Sequence, residues 1–174
     1  MQDYAAWLRE IMQLLEVKKP HVIAHSFGCR VAVKLASENN AIFDKILLTG
    51  PAGVILNRGA KYHCKVWAYR FVKRFAPRFA ERHFGSAEYR TLSPIMKESY
   101  KKIVNEDLRA DARGIKNPVL LIEGEQDTTT PISEARAYLQ CLQKGRLQTV
   151  QGGHFAFAER PLAFNLIAEE FLYD

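Results

Sequence analysis

Three short segments place reactive side chains where an apolar run gives way to a turn. Ser26 lies in Ala24-His25-Ser26-Phe27-Gly28, between such a run and a helical pattern. A serine at the tip of a sharp strand-to-helix turn projects its hydroxyl, and the helix start favours negative charge beside it. The turn needs small flanking residues. Gly28 meets that need, and Ala24 stands where the pattern G-x-S-x-G has its first glycine. The competing reading is an ordinary N-cap serine. Asp127 closes Gly124-Glu125-Gln126-Asp127, after the run Pro-Val-Leu-Leu-Ile and before a Thr-rich turn. It is the candidate carboxylate, against the reading of a loop aspartate bonding its own turn. Glu125 and Glu123 are rivals, and Glu123 is expected in or beside the strand, pointing away from the site. His154 follows Gly152-Gly153, whose freedom lets a His-bearing loop approach closely; a surface histidine is the alternative. A hydroxyl nucleophile, an imidazole base and a carboxylate are the parts of nucleophilic acyl transfer.

The elements around these segments must bring them together. Helical spacing of Tyr4, Trp7, Leu8, Ile11, Leu14 and Leu15 predicts an amphipathic helix over 3–17, with Asp3 as its N-cap. Strands are predicted at 21–24, 45–48, 118–122 and 147–150, and further helices at 26–38, 132–142 and 161–172. Phe27, Val31 and Leu35 are expected on the buried side of the second helix. Between 52 and 114 there is no strand pattern, charges are dense and helical periodicity dominates. The order is α-β-α-β, a helical insert, then β-α-β-α. Such alternation implies a parallel sheet with flanking helices, with its site at the C-terminal ends of the strands.

Composition bounds the function. The chain has 174 residues, 48% hydrophobic and 25% charged, which is ordinary globular usage. No apolar run approaches the roughly 20 residues of a membrane helix, and Met1 to Glu10 is not a secretory signal. The three scattered cysteines fit neither a disulfide framework nor a metal site. A cytoplasmic setting is the expectation. The net charge of +6 is local: between Arg58 and Arg82 lie eight Lys/Arg and one acid. A nucleic-acid binder would not be arranged this way, so neither nucleic acid nor a membrane surface is the expected partner.

Ser, then Asp, then His, each after a successive strand, is the chain order of the α/β-hydrolase superfamily. On VIAHSFGCRVAVKLA, PVLLIEGEQDTTTP and VQGGHFAFAERPLAF, the sequence resembles that superfamily. More narrowly, it resembles the small esterase, lipase and peptidase-like members with a helical cap. GSAEYRTLSPIMKESYKKIVNEDLR resembles the second half of such caps. The resemblance implies the C-terminal part of an α/β-hydrolase core, at 1–51 and 115–174, with a helical cap insertion at 52–114. It implies Ser26 as nucleophile, His154 as base then acid, Asp127 as orienting carboxylate and the Phe27 N–H as one oxyanion donor. No metal or cofactor is required, and His25 has no catalytic role. The substrate is a small molecule with an ester or related acyl group. Trp67, Phe71, Phe75 and Phe79 recur every four residues; Trp67, Phe71 and Phe75 are candidates to line the acyl pocket, the alternative being that the stripe packs the cap.

The sequence departs from the family in one respect. The serine turn comes early, with one strand before it, and the loop that supplies the second oxyanion N–H has no counterpart. Losing one such donor typically costs about 10²–10³ in rate. The serine strand is expected to leave an open apolar edge, fit for self-association or a complementing chain. The second hypothesis is therefore an N-terminally truncated, weakly active or inactive remnant acting as an interaction partner.

Overall fold

Valine, isoleucine and leucine runs bounded by turn residues form four strands: β1 Val22–His25, β2 Ile46–Thr49, β3 Val119–Gly124 and β4 Gly145–Val150. In the computed structural model, which describes residues 1–56, 60–75 and 93–174, they make one sheet in the order β1-β2-β3-β4. All three pairings are parallel. The register aligns Ala24 with Leu48, Leu48 with Leu121 and Leu121 with Leu147. Every residue of β2 and β3 is buried, as continuous apolar runs in a two-sided parallel sheet must be. Because the register is level, the turns leaving β1, β3 and β4 emerge along one edge of the sheet.

Helices cover both faces. α1 is Gln2–Leu14, α2 Phe27–Glu38, α3 Ala60–Phe75, α4 Pro94–Val104, α5 Arg109–Arg113, α6 Ile132–Leu139, α7 Ala156–Glu159 and α8 Pro161–Tyr173. Leu47, Leu120, Ile122 and Val150 pack with Ala156 of α7 and with Phe164, Ala168 and Phe171 of α8. Lys45 Nζ donates to the carbonyls of Phe171 and Leu172 at 2.9 and 3.2 Å, a cation at the C-terminal end of α8. Side chains alternate along a strand, so Leu121 and Glu123 face the opposite layer. There α2 packs on β1 and β2, and α6 on β3 and β4.

The chain divides into two compact units, Met1–Val54 with Asp107–Asp174, and Ile55–Glu106. The first holds the sheet. The second contains α3 and α4; Ser93 caps α4 by accepting the Met96 N–H, with Pro94 in the first turn. Phe79, Arg58, Arg78 and Arg82 lie outside the described residues.

The structure corrects three sequence-based expectations. α1 buries Ala5 and Met12, while Trp7 and Leu14 are 62% and 82% exposed and Leu15 is exposed. The periodicity is real, but the face that packs is the one carrying Ala5 and Met12, and α1 lies against α2. The helix also starts one residue earlier, with Met1 at the N-cap and Asp3 in the first turn. Phe27 is exposed as the first residue of α2 and meets Tyr4 edge-on at 5.1 Å. Its place is taken inside by Cys29 and Val33, both fully buried.

Candidate active site

The turn after β1 presents Ser26 with φ +49° and ψ −111°. A non-glycine residue there is strained by about 1–3 kcal/mol, and the surroundings hold it. The Ser26 N–H donates to the Thr49 carbonyl at 3.0 Å, and the Ser26 carbonyl accepts from the Cys29 N–H at 3.1 Å. Phe27 starts α2, so its N–H has no acceptor within the helix. Ala24 is buried beneath the turn. Its methyl stands 3.8 Å from where a Cβ on Gly28 would sit, an ordinary contact. Gly28 is therefore not required by crowding from other segments.

Asp127 is brought to this point by the turn that ends β3. Glu125 N–H donates to Val150 O, Gln126 N–H to Gly152 O at 2.9 Å, and Asp127 N–H to Gly124 O. The acid turn is thus laid against the loop that carries His154. Gly152 adopts φ +137°, a conformation that favours glycine. Glu159 of α7 accepts the Gly153 N–H at 2.8 Å and closes the loop from its far side.

The three candidate residues meet. His154 Nε2 lies 2.9 Å from Ser26 Oγ. His154 Nδ1 lies 2.7 Å from Asp127 Oδ2. A carboxylate only accepts, so Nδ1 carries the proton and Nε2 is free to accept the serine hydroxyl. The Asp127 side chain is fully buried. Burial alone would raise its pKa, but the bonds from His154, Thr130 and Thr129 outweigh it and hold the carboxyl below its ordinary range. Oδ1 accepts Thr129 N–H and Thr130 N–H at 2.7 and 3.0 Å, and Oδ2 accepts the Thr130 hydroxyl at 2.9 Å.

Sequence reasoning misses three neighbours. Thr130 is one: besides serving Asp127, its hydroxyl oxygen is 3.2 Å from His154 Nδ1. The Thr-rich turn is the available signal. His25 is the second. Its ring centroid is 4.7 Å from that of His154, and its Nδ1 donates to the Thr49 carbonyl at 3.1 Å. Burial, then the neighbouring His154, lowers its pKa, so it is a neutral wall. The third is Glu123, which the sequence places in or beside the strand and pointing away from the site. It is fully buried on β3, and its carboxyl group neighbours that of Asp127. Strand alternation turns it into the α2 and α6 layer.

Trp67, Phe71 and Phe75 run along α3 in the second unit. Trp67 stacks on Phe71 at 5.6 Å, and Phe71 meets Phe75 at 5.2 Å. All three are more than half exposed. Among the described residues no helix is long and apolar enough to cross a membrane, and no group of three His, Cys, Asp or Glu is placed to hold a metal.

A family model described as the alpha/beta hydrolase family matches residues 1–165. Solved structures share the fold. A hydrolase from Pseudomonas aeruginosa is 22% identical, with a TM-score of 0.69, over 97% of this chain and 70% of that one. A meta-cleavage product hydrolase from Pseudomonas fluorescens is 21% identical, with a TM-score of 0.69, over 99% and 71%. An alpha/beta hydrolase enzyme from a sediment metagenome of the Mar Chica lagoon, Morocco, is 19% identical, with a TM-score of 0.70, over 97% and 68%. No curated protein matches the chain.

Proposed function

Because the chain belongs to the alpha/beta hydrolase family, we propose that it is a serine hydrolase acting on an ester or related acyl substrate through Ser26, His154 and Asp127. The observation that carries this reading is the unbroken line of contacts from Ser26 Oγ to His154 Nε2, and from His154 Nδ1 to Asp127 Oδ2.

The chemistry follows from those contacts. Ser26 Oγ attacks the acyl carbonyl as its proton passes to His154 Nε2. The imidazolium is held by Asp127 and then returns the proton to the leaving oxygen. Water, deprotonated by the same nitrogen, releases the acid from Ser26. The Phe27 N–H serves the oxyanion as one donor.

Reaction with a fluorophosphonate probe tests the assignment. Labelling is expected at Ser26 and is abolished in Ser26→Ala. A folded wild-type sample that takes up no label would refute the enzyme reading.

A second reading, an interaction partner, is favoured by one observation. Trp7, Leu14 and Leu15 at α1 and Ile23 on the outer strand β1 are all exposed apolar residues. Sedimentation velocity at micromolar concentration tests it: association is expected, and a strictly monomeric species argues against it.

A further inference from the structure

Glu123 is a carboxyl group placed where a carboxylate is hard to keep. It is fully buried within the sheet layer. Its Oε1 accepts one N–H, from Gly124 at 3.1 Å, and its Oε2 is buried with no donor facing it. Asp127, four residues on, accepts four protein donors. The two carboxyl groups are neighbours. Two adjacent carboxylates repel each other, and the repulsion is relieved when one of them keeps its proton. The donors around Asp127 settle which. Asp127 is stabilised as the anion and Glu123 is not, so the proton resides on Glu123. Its Oε2, the atom no donor meets, is the one left to carry it.

We propose that Glu123 is held as a carboxylic acid that donates its proton to the Asp127 carboxylate, and so acts as a positioning residue for the Asp127–His154 pair. This rests on the reading of Ser26, His154 and Asp127 as a working triad. Glu123 touches no substrate; it acts through Asp127. Its donation adds to the bonds that fix the Asp127 carboxylate and draws charge from it, and Asp127 in turn holds the His154 Nδ1–H. Burial pushes the Glu123 pKa up, with Asp127 adding to the effect, to about 8. The groups facing it are Asp127, Glu134 from α6 and Cys29 from α2. Glu134 is another acid and also favours the protonated form. The Cys29 thiol is itself raised by burial and donates to the Ala24 and Thr49 carbonyls, so it brings no cation. Above pH 8 a second negative charge would appear beside Asp127, and the hydrogen-bond network would rearrange.

Two spectroscopic measurements on the intact chain decide the matter without reference to turnover. The first is the infrared difference between wild type and Glu123→Gln. A protonated-carboxyl carbonyl band is expected at pH 7 and should vanish with a midpoint near pH 8. The second is the downfield proton resonance of His154 Nδ1–H. It should follow the same titration in the wild type, lose that response in Glu123→Gln, which keeps a donor, and move at all pH values in Glu123→Leu, which has none. Absence of the band at pH 7 in folded wild type overturns the proposal, as does a His154 resonance with the same pH response in wild type and Glu123→Gln. If Glu123→Leu fails to fold, the wild-type and Gln samples still decide. Fluorophosphonate labelling is run in parallel: an unlabelled wild type that shows the band and its titration would remove the proposed hydrolase activity and leave the Glu123–Asp127 bond standing.

Discussion

Gly124 and Gly152 meet backbone to backbone. A Cβ on Gly124 would stand 2.7 Å from the Gly152 carbonyl oxygen and would overlap that of Gly153. The contact seats the histidine loop on the end of β3, so a single docking delivers both Asp127 and His154. Gly124→Ala is expected to force the loop away. Its stability should fall by about 1–3 kcal/mol, as for an overpacked site, and labelling of Ser26 should fall with it. A wild-type melting curve and labelling rate for this variant would contradict the account.

Gly28 is the contrasting case. A methyl there meets only Ala24, at 3.8 Å, and the residue is helical within α2. Gly28→Ala is expected to raise stability by about 0.5–1 kcal/mol by restricting the unfolded chain. Ser26 reactivity should be retained. A drop in melting temperature would show that the turn needs the glycine after all.

Thr130 serves Asp127 twice, through its N–H and its hydroxyl. Thr130→Val keeps the shape and the N–H but leaves Asp127 Oδ2 one donor short. A loss of about 1–3 kcal/mol is expected, the range for a hydrogen bond to a charged group with its partner left buried. Labelling should slow. Chemical denaturation of the variant beside the wild type measures the first, and the probe reaction the second.

The two acids give opposite pH dependences. Asp127 is held below its ordinary pKa, so its contribution to stability is present above about pH 4, its unfolded value. That contribution is lost as pH falls through the native one. Glu123 is raised to about 8. Between its unfolded value, about 4.3, and pH 8 the unfolded chain releases a proton that the native state keeps. Stability therefore declines through that window, by up to about 1.4 kcal/mol per pH unit. Glu123→Gln should flatten this decline and leave the acid limb in place. Urea unfolding from pH 3 to pH 9 compares the two; parallel curves for wild type and variant above pH 5 would be inconsistent with a buried acid at Glu123.

Much of the fold is legible in the residues. The apolar runs at 21–24, 45–48, 118–122 and 147–150 read as strands because Val, Ile and Leu are bounded by Pro, Gly and Thr. Strand ends still differ: β4 begins at Gly145, not Leu147, since its first residues pair with β3 and have no apolar signal of their own. The short helices α5 and α7 span five and four residues, too few to show a period. The inward face of α1 is hidden from a reading of the residues because large apolar side chains, Trp7 and Leu14 among them, also stand on the exposed side of the helix.

The order Ser26, Asp127, His154 and the turn residues around them were determined by the chain itself. Local chemistry dictates where each strand stops, and the residue types in the turn beyond it are plain from the chain. The partners of those residues were decided only by the tertiary structure. Thr130 joins Asp127 to His154 because an Asx-type turn folds back on its own carboxylate. His25 walls His154 because β1 and β4 end level across an intervening pair of strands. Glu123 faces Asp127 because the chain turns back after β3, a reversal that no spacing in the sequence displays. Distances across a sheet depend on pairing and register, and these are properties of the assembled fold.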